Sequence, residues 1–453
     1  MIRYSLLDLR HLFSVLWVAA AVTAPVYIHA QVRTGWYDHL KHDLSYDYFN
    51  PQKTPDLVDG FSHGELLAPY DDRIPWKEGE TSNLNNDIKS YLEMCAANQQ
   101  KVLLHIPRQY VGPGPALSDW GKGNIERFVN ATKGYGCVIG YIAWDEPTVG
   151  GASGERGVAV LQDLYNTIKS KTTKTVYMTL TIGDFESGAV SNYKNCYDRW
   201  LFDRYVLQSG TGEWDNMSNY LASQVAADKY ASQRGRKAQM VLQACNSTSE
   251  DSQEDDVHGL RYPKHNEFRY LVWASKVAAP ERDRLLYAHH YTNESFVNNI
   301  VKSSVDALAP YDDNYTVRWG HFFPPGLHGL TGIPKAAYEA TQGGSNIMVD
   351  RAWGTGHPDI FVRVLKHQSQ NKWLVIAMRT KLGNQEVYLR FTKDYFGNGK
   401  SARKITVYGN GDLQSSIPLK DAGSGNDWLI CDGGPNDTKH HFGSYEIRAW
   451  IVE

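Results

Sequence analysis

The chain predicts an α/β protein, a (β/α)8 TIM barrel followed by an antiparallel β-sandwich. Three observations carry this reading. From about Thr54 to Tyr291, short apolar runs alternate with helical stretches, the mark of repeated βαβ units with buried parallel strands. Polar residues collect at the C-terminal ends of many different strands, as in a closed barrel rather than an open sheet. After about Gly343 the pattern changes to alternating strands separated by Gly, Asn and Asp turns, the signature of antiparallel sheet. A length of 453 residues accommodates both parts.

Met1–Ala30 reads as a secretory signal. Arg3 and Arg10 flank its start, Leu12–Ile28 is largely apolar, and Ile28-His29-Ala30 offers a cleavage site before Gln31. Asp8 departs from the pattern, and Pro25 suits a signal better than a continuous membrane helix. No later apolar run is long enough to span a bilayer. The mature protein is therefore expected to be secreted, extracellular or, in a bacterium, periplasmic or on the cell surface.

Residues 31–343 are assigned to the barrel. Its visible strands are Asp56–Phe61, Lys101–Pro107, Cys137–Trp144, Thr175–Ile182, Arg199–Tyr205, Ala238–Cys245 and Arg284–Tyr291. Helices are expected at Asn86–Asn98, Ile125–Lys133, Gly157–Lys171, Met217–Ser232 and Glu267–Ala279. An eighth strand is expected in Trp36–Phe49 or near Tyr315–Phe323. Residues 344–453 form the β-sandwich, with strands around Phe361, Trp373, Val387, Ile405 and Ile447.

Composition narrows the partners. Apolar residues at 42% and charged residues at 21% supply a core and exclude wholesale disorder. A net charge of −3 gives no general attraction to nucleic acid or to an anionic membrane. The 13 Trp, 28 Tyr and 14 Phe fit either a large β-rich core or an aromatic sugar-binding cleft. The five cysteines match no metal-ligand spacing, and barrel geometry puts Cys95 and Cys137 together at the bottom, where a bridge is feasible. His289-His290 has no third ligand at a telling distance, and no phosphate or dinucleotide fingerprint occurs. No metal or cofactor is expected. Oligomeric state is not encoded in any recognisable motif.

The sharpest motif is Trp144-Asp145-Glu146-Pro147, directly after an apolar strand. Adjacent carboxylates at the end of a buried strand are costly as packing, and this end of a barrel carries active sites. Pro147 is expected to hold Glu146 extended. Beside Trp144 a carboxyl can keep its proton to higher pH and serve as a general acid.

Gly140-Tyr-Ile-Ala-Trp-Asp-Glu-Pro147 resembles the acid/base strand of clan A glycoside hydrolases. Glu267–Ser275 with Leu285–Ala288 is similar to their last helix and strand, and the β-rich tail to their accessory sandwich. The resemblance implies a secreted glycosidase acting on an oligo- or polysaccharide, with Glu146 as acid/base. Asp145 stands where many members have an Asn that contacts a sugar hydroxyl. The family's second carboxylate, a Glu ending strand seven, is missing: Ala238–Cys245 offers Gln243 instead. The acidic loop Glu250–Asp256 reads better as a solvated charge run; Asp203 is the best replacement, as second carboxylate or as sugar ligand, and Glu65 ranks third. Trp144, Tyr205, Gln243, Tyr287, His289 and Tyr291 are placed at or near the rim as sugar contacts, each also readable as structural. Two rivals stand beside hydrolysis. One is a non-catalytic carbohydrate-binding barrel, favoured by the missing Glu; the other is a polysaccharide lyase using Tyr205 or His289 as base.

Overall fold

The computed structural model describes residues 34–37, 64–66, 92–93, 95–97, 101–112, 114–148, 156–181, 184, 189–203, 205–207, 217–232, 235–244, 263–281, 285–288, 295–322, 346–353, 358–423 and 426–453, some by backbone alone. The signal expected at 1–30 and the strand expected at Asp56–Phe61 lie outside these residues.

Eight strands form one sheet: β1 (Thr34–Tyr37), β2 (Gly64–Leu66), β3 (Val102–His105), β4 (Val138–Asp145), β5 (Thr175–Thr181), β6 (Arg199–Asp203), β7 (Lys237–Gln243) and β8 (Leu285–Ala288). All their ladders are parallel, in the order β2-β1-β8-β7-β6-β5-β4-β3. This is cyclic chain order, opened only between β2 and β3, whose Cα atoms approach within 8 Å. Helices α1 (Asp119–Thr132), α2 (Val158–Lys171), α3 (Met217–Ser232), α4 (His265–Ala278) and α5 (Ser295–Asp312) lie between or after the strands.

Alternation along the strands separates two cores. Leu104, Tyr141, Met178, Phe202 and Leu242 pack with the helices. Leu103, Ile142, Tyr177, Leu201 and Val241, from the other strand face, form their own cluster inside the sheet. Gly140 makes room for it: a Cβ there would lie 2.5 Å from Thr175 O and 2.7 Å from the Tyr177 ring.

The C-terminal part begins earlier than the expected boundary at 343. Strand β9 (Tyr315–Phe322) pairs with the C-terminal sheet, so it is not the eighth barrel strand; β1 fills that place. The reason is legible in its burial, because β9 is mostly half-exposed where a barrel strand is buried on both faces. The remaining strands are β10 (Ile347–Arg351), β11 (Ile360–His367), β12 (Trp373–Arg379), β13 (Gln385–Thr392), β14 (Ser401–Ile405), β15 (Leu413–Pro418), β16 (Lys420–Asp421), β17 (Asp427–Leu429), β18 (His440–Phe442) and β19 (Ile447–Val452). They form two antiparallel sheets: β15-β14-β19-β12-β11-β9, and β10-β13-β17-β16 with β18 on β13.

The larger sheet is covered twice. Val375 and Ala377 face the smaller sheet, whereas Leu374, Ile376 and Met378 join the core of the barrel helices. Every residue of β12 is therefore buried, and the simple in/out alternation expected for it does not hold. Polar contacts bind the same seam. Arg363 Nε donates to Val277 O at 3.0 Å, and the Tyr270 hydroxyl donates to Arg379 O at 3.2 Å.

The expected Cys95–Cys137 bridge is not formed. Both residues are buried, and the Cys137 thiol donates to Leu92 O at 3.4 Å.

Candidate active site

The site is set by a bulge in β4. Ile142 pairs with Tyr177 but Trp144 pairs with Met178, so Ala143 is an extra residue in the ladder. Without it Trp144 would share the inner face with Ile142. Instead Ala143 and Trp144 both join the outer core, and Asp145 comes into register with Thr179 on the inner face. The expectation that Trp144 lines the rim is thus overturned: its ring is fully buried, with the Arg156 guanidinium 4.7 Å from its centroid. Asp145 is only 8% exposed.

Glu146, half-buried, takes φ 48°, a left-handed conformation that is rare without glycine. The extended geometry expected ahead of Pro147 is not what forms. Neighbouring contacts over-determine the turn. The Glu146 amide donates to Thr179 O at 3.2 Å, and the Arg156 amide donates to Pro147 O at 3.0 Å. The Thr148 hydroxyl donates to Asp184 Oδ1. Strain of this kind persists where surroundings enforce it, and it clusters at functional sites.

Asp184 is buried, and burial raises its pKa against the lowering effect of its Thr181 hydrogen bonds. Its Oδ2 accepts from the Thr181 amide at 2.7 Å, while its own amide donates to Thr181 Oγ1 at 3.2 Å. Asp184 and Arg156 escaped the sequence reading. Arg156 left no signal, but Thr181-Ile-Gly-Asp184 has the spacing of a reciprocal capping box.

The other candidates fall into three groups. Gln243 is fully buried, its Oε1 accepting from the Leu207 amide and its Nε2 donating to Leu207 O, both at 2.9 Å. It clamps the segment after β6, which accounts for a Gln there, and this buried clamp stands in place of the expected rim contact. Tyr205, half-buried, packs against the inner cluster. Asp203 ends β6 opposite Thr181 and Val241, Glu65 lies within β2 opposite Gly35 rather than in a loop after a strand, and Tyr287 lies in β8 opposite Leu242; these three are described by backbone position. His289 and Tyr291 lie outside the described residues. His105, not anticipated, ends β3 on the face of Leu103; its Nδ1 lies 3.0 Å from Ile106 O and so carries a proton.

No protein-family profile matches the sequence, and no curated protein matches it. Solved structures do resemble the fold. A GH27 β-L-arabinopyranosidase from Geobacillus stearothermophilus, in complex with arabinose, matches with a TM-score of 0.54 at 9% identity, covering 94% of this chain and 98% of the other. A family 39 glycoside hydrolase from the gut symbiont Bacteroides cellulosilyticus WH2 matches with a TM-score of 0.50 at 12% identity, over 94% and 81%.

Proposed function

We propose that this chain is a secreted glycoside hydrolase of the clan A type, acting on an oligo- or polysaccharide from the mouth of a (β/α)8 barrel that carries a β-sandwich. The observation that carries the proposal is the β4 terminus. A bulge, a left-handed Glu146 and three tethers hold two adjacent carboxyl groups at the C-terminal end of a parallel strand. Such ends bear the reacting groups of barrel enzymes. The two structural neighbours support the reading by fold.

In this reading Glu146 protonates the leaving glycosidic oxygen as the anomeric carbon gains oxocarbenium character. Asp203 supplies the second carboxylate, and Asp145 binds a sugar hydroxyl. The Cα columns of β4 and β6 stand two strand spacings apart, about 10 Å. That frame can accommodate either a nucleophile about 5 Å from the acid or a base farther away. Export follows from the signal at 1–30.

The test is a product-resolved screen of wild type and Glu146→Gln against a polysaccharide panel. Turnover should fall by about 10²–10⁴-fold in the variant with its fold intact; near-wild-type turnover would reject the assignment. The buried Gln243 at the end of β7 favours a second reading, a barrel that binds carbohydrate without cleaving it. Binding with no product release identifies that case, and ultraviolet-absorbing unsaturated products identify a lyase.

A further inference from the structure

We propose a second carbohydrate site on the C-terminal sheets, a stacking platform at Trp353 that takes a single pyranose ring of a polysaccharide. Trp353 is 72% exposed, the most exposed large apolar side chain among the described residues. Yet it is not loose. Its indole Nε1 donates to Glu386 Oε2 at 2.8 Å, and Lys439 Nζ sits 4.9 Å from the ring centroid. His441 Nδ1 lies 2.8 Å from Glu386 Oε1, and the two residues are cross-strand partners in β13 and β18. The backbone next to the ring is held as well, because the Ala352 amide donates to Glu386 O at 3.0 Å.

Three chain segments thus fix one flat ring: the Lys439 ammonium lies over it, the Glu386 carboxylate holds its Nε1 edge, and His441 holds that carboxylate. A ring fixed before binding loses little entropy on binding. The Lys439 ammonium adds a cation–π contact. An apolar plane edged by charged hydrogen-bonding groups matches a pyranose, which has an apolar C–H face and hydroxyls at its rim. A protein partner would call for a broader apolar patch. The choice of a sugar rests on the glycosidase reading, but the geometry is independent of Glu146.

The experiment is affinity electrophoresis of the full chain in native gels containing, separately, xylan, arabinogalactan, galactomannan, mixed-linkage β-glucan or dextran. Glu146→Gln is used so that the matrix is not degraded, and it is compared with Glu146→Gln/Trp353→Ala. At least one glycan should retard the first protein, and the added Trp353→Ala should weaken that retardation by about fivefold or more. Trp353→Tyr should keep part of it, and all variants should melt together. Retardation by none of the five, or equal retardation of both proteins, overturns the site. Product release by wild type, measured in parallel, reports on hydrolysis separately.

Discussion

Asp184 accepts a hydrogen bond from the hydroxyl of Thr148 and so ties the loop after β5 to the turn that carries Glu146. The same carboxylate closes a reciprocal pair of bonds with Thr181. One buried side chain thereby fixes the positions of two loops at the sheet's C-terminal edge.

Removing that carboxylate strands the half-buried donors of Thr148 and Thr181. Asp184→Ala is expected to destabilise the protein by about 1–3 kcal/mol and to increase proteolytic nicking after Pro147. Denaturant melts and limited proteolysis measure both; wild-type stability would show that the tether is slack.

The pH dependence of Asp184 has a definite sign. Burial raises its folded-state pKa above the ordinary 3.8, so the folded state holds a proton that the unfolded chain has already released. Its contribution is fully present below 3.8 and is lost as pH rises through the raised value. The stability gap between wild type and Asp184→Asn should therefore move against wild type as pH climbs from 3.8. Urea unfolding across that window tests this, and a gap that widens in favour of wild type contradicts it.

Glu146 sits in a conformation that suits glycine. Glu146→Gly should raise stability by about 1 kcal/mol while abolishing turnover. This trade is expected where strain is kept for function. Equal or lower stability in the variant would mean that the turn is not strained.

Restoring a strand-seven carboxylate should not rescue anything. Gln243→Glu would set a carboxylate oxygen against Leu207 O, where Nε2 now donates at 2.9 Å. A loss of about 1–3 kcal/mol is expected, with no gain in hydrolysis. Calorimetry together with the glycan assay decides this, and increased turnover would restore Gln243 to the site.

Much of the fold could be read from residues close together in the chain. The strands around Leu104, Met178 and Met240 and the helix Met217–Ser232 follow from apolar runs and periodicity. The choice between Trp36–Phe49 and Tyr315–Phe323 for the eighth barrel strand stayed open in the sequence because a single strand carries no label for the sheet it joins. The site was only partly legible. Trp144-Asp145-Glu146-Pro147 announces itself by its charge at a strand end, but the direction in which each side chain faces does not.

By itself the sequence determined the strand–helix alternation, the switch to antiparallel β near the C-terminus, and the acidic motif that closes β4. These depend on local periodicity and on residue chemistry within a few positions. Only the tertiary structure decided that Trp144 faces outward, that Asp145 lies level with Thr179, and that Gln243 is spent on the Leu207 peptide. An extra residue in a ladder is defined against the neighbouring strand, and a buried amide chooses its partner from segments remote in the chain. Neither relationship exists until the strands are paired.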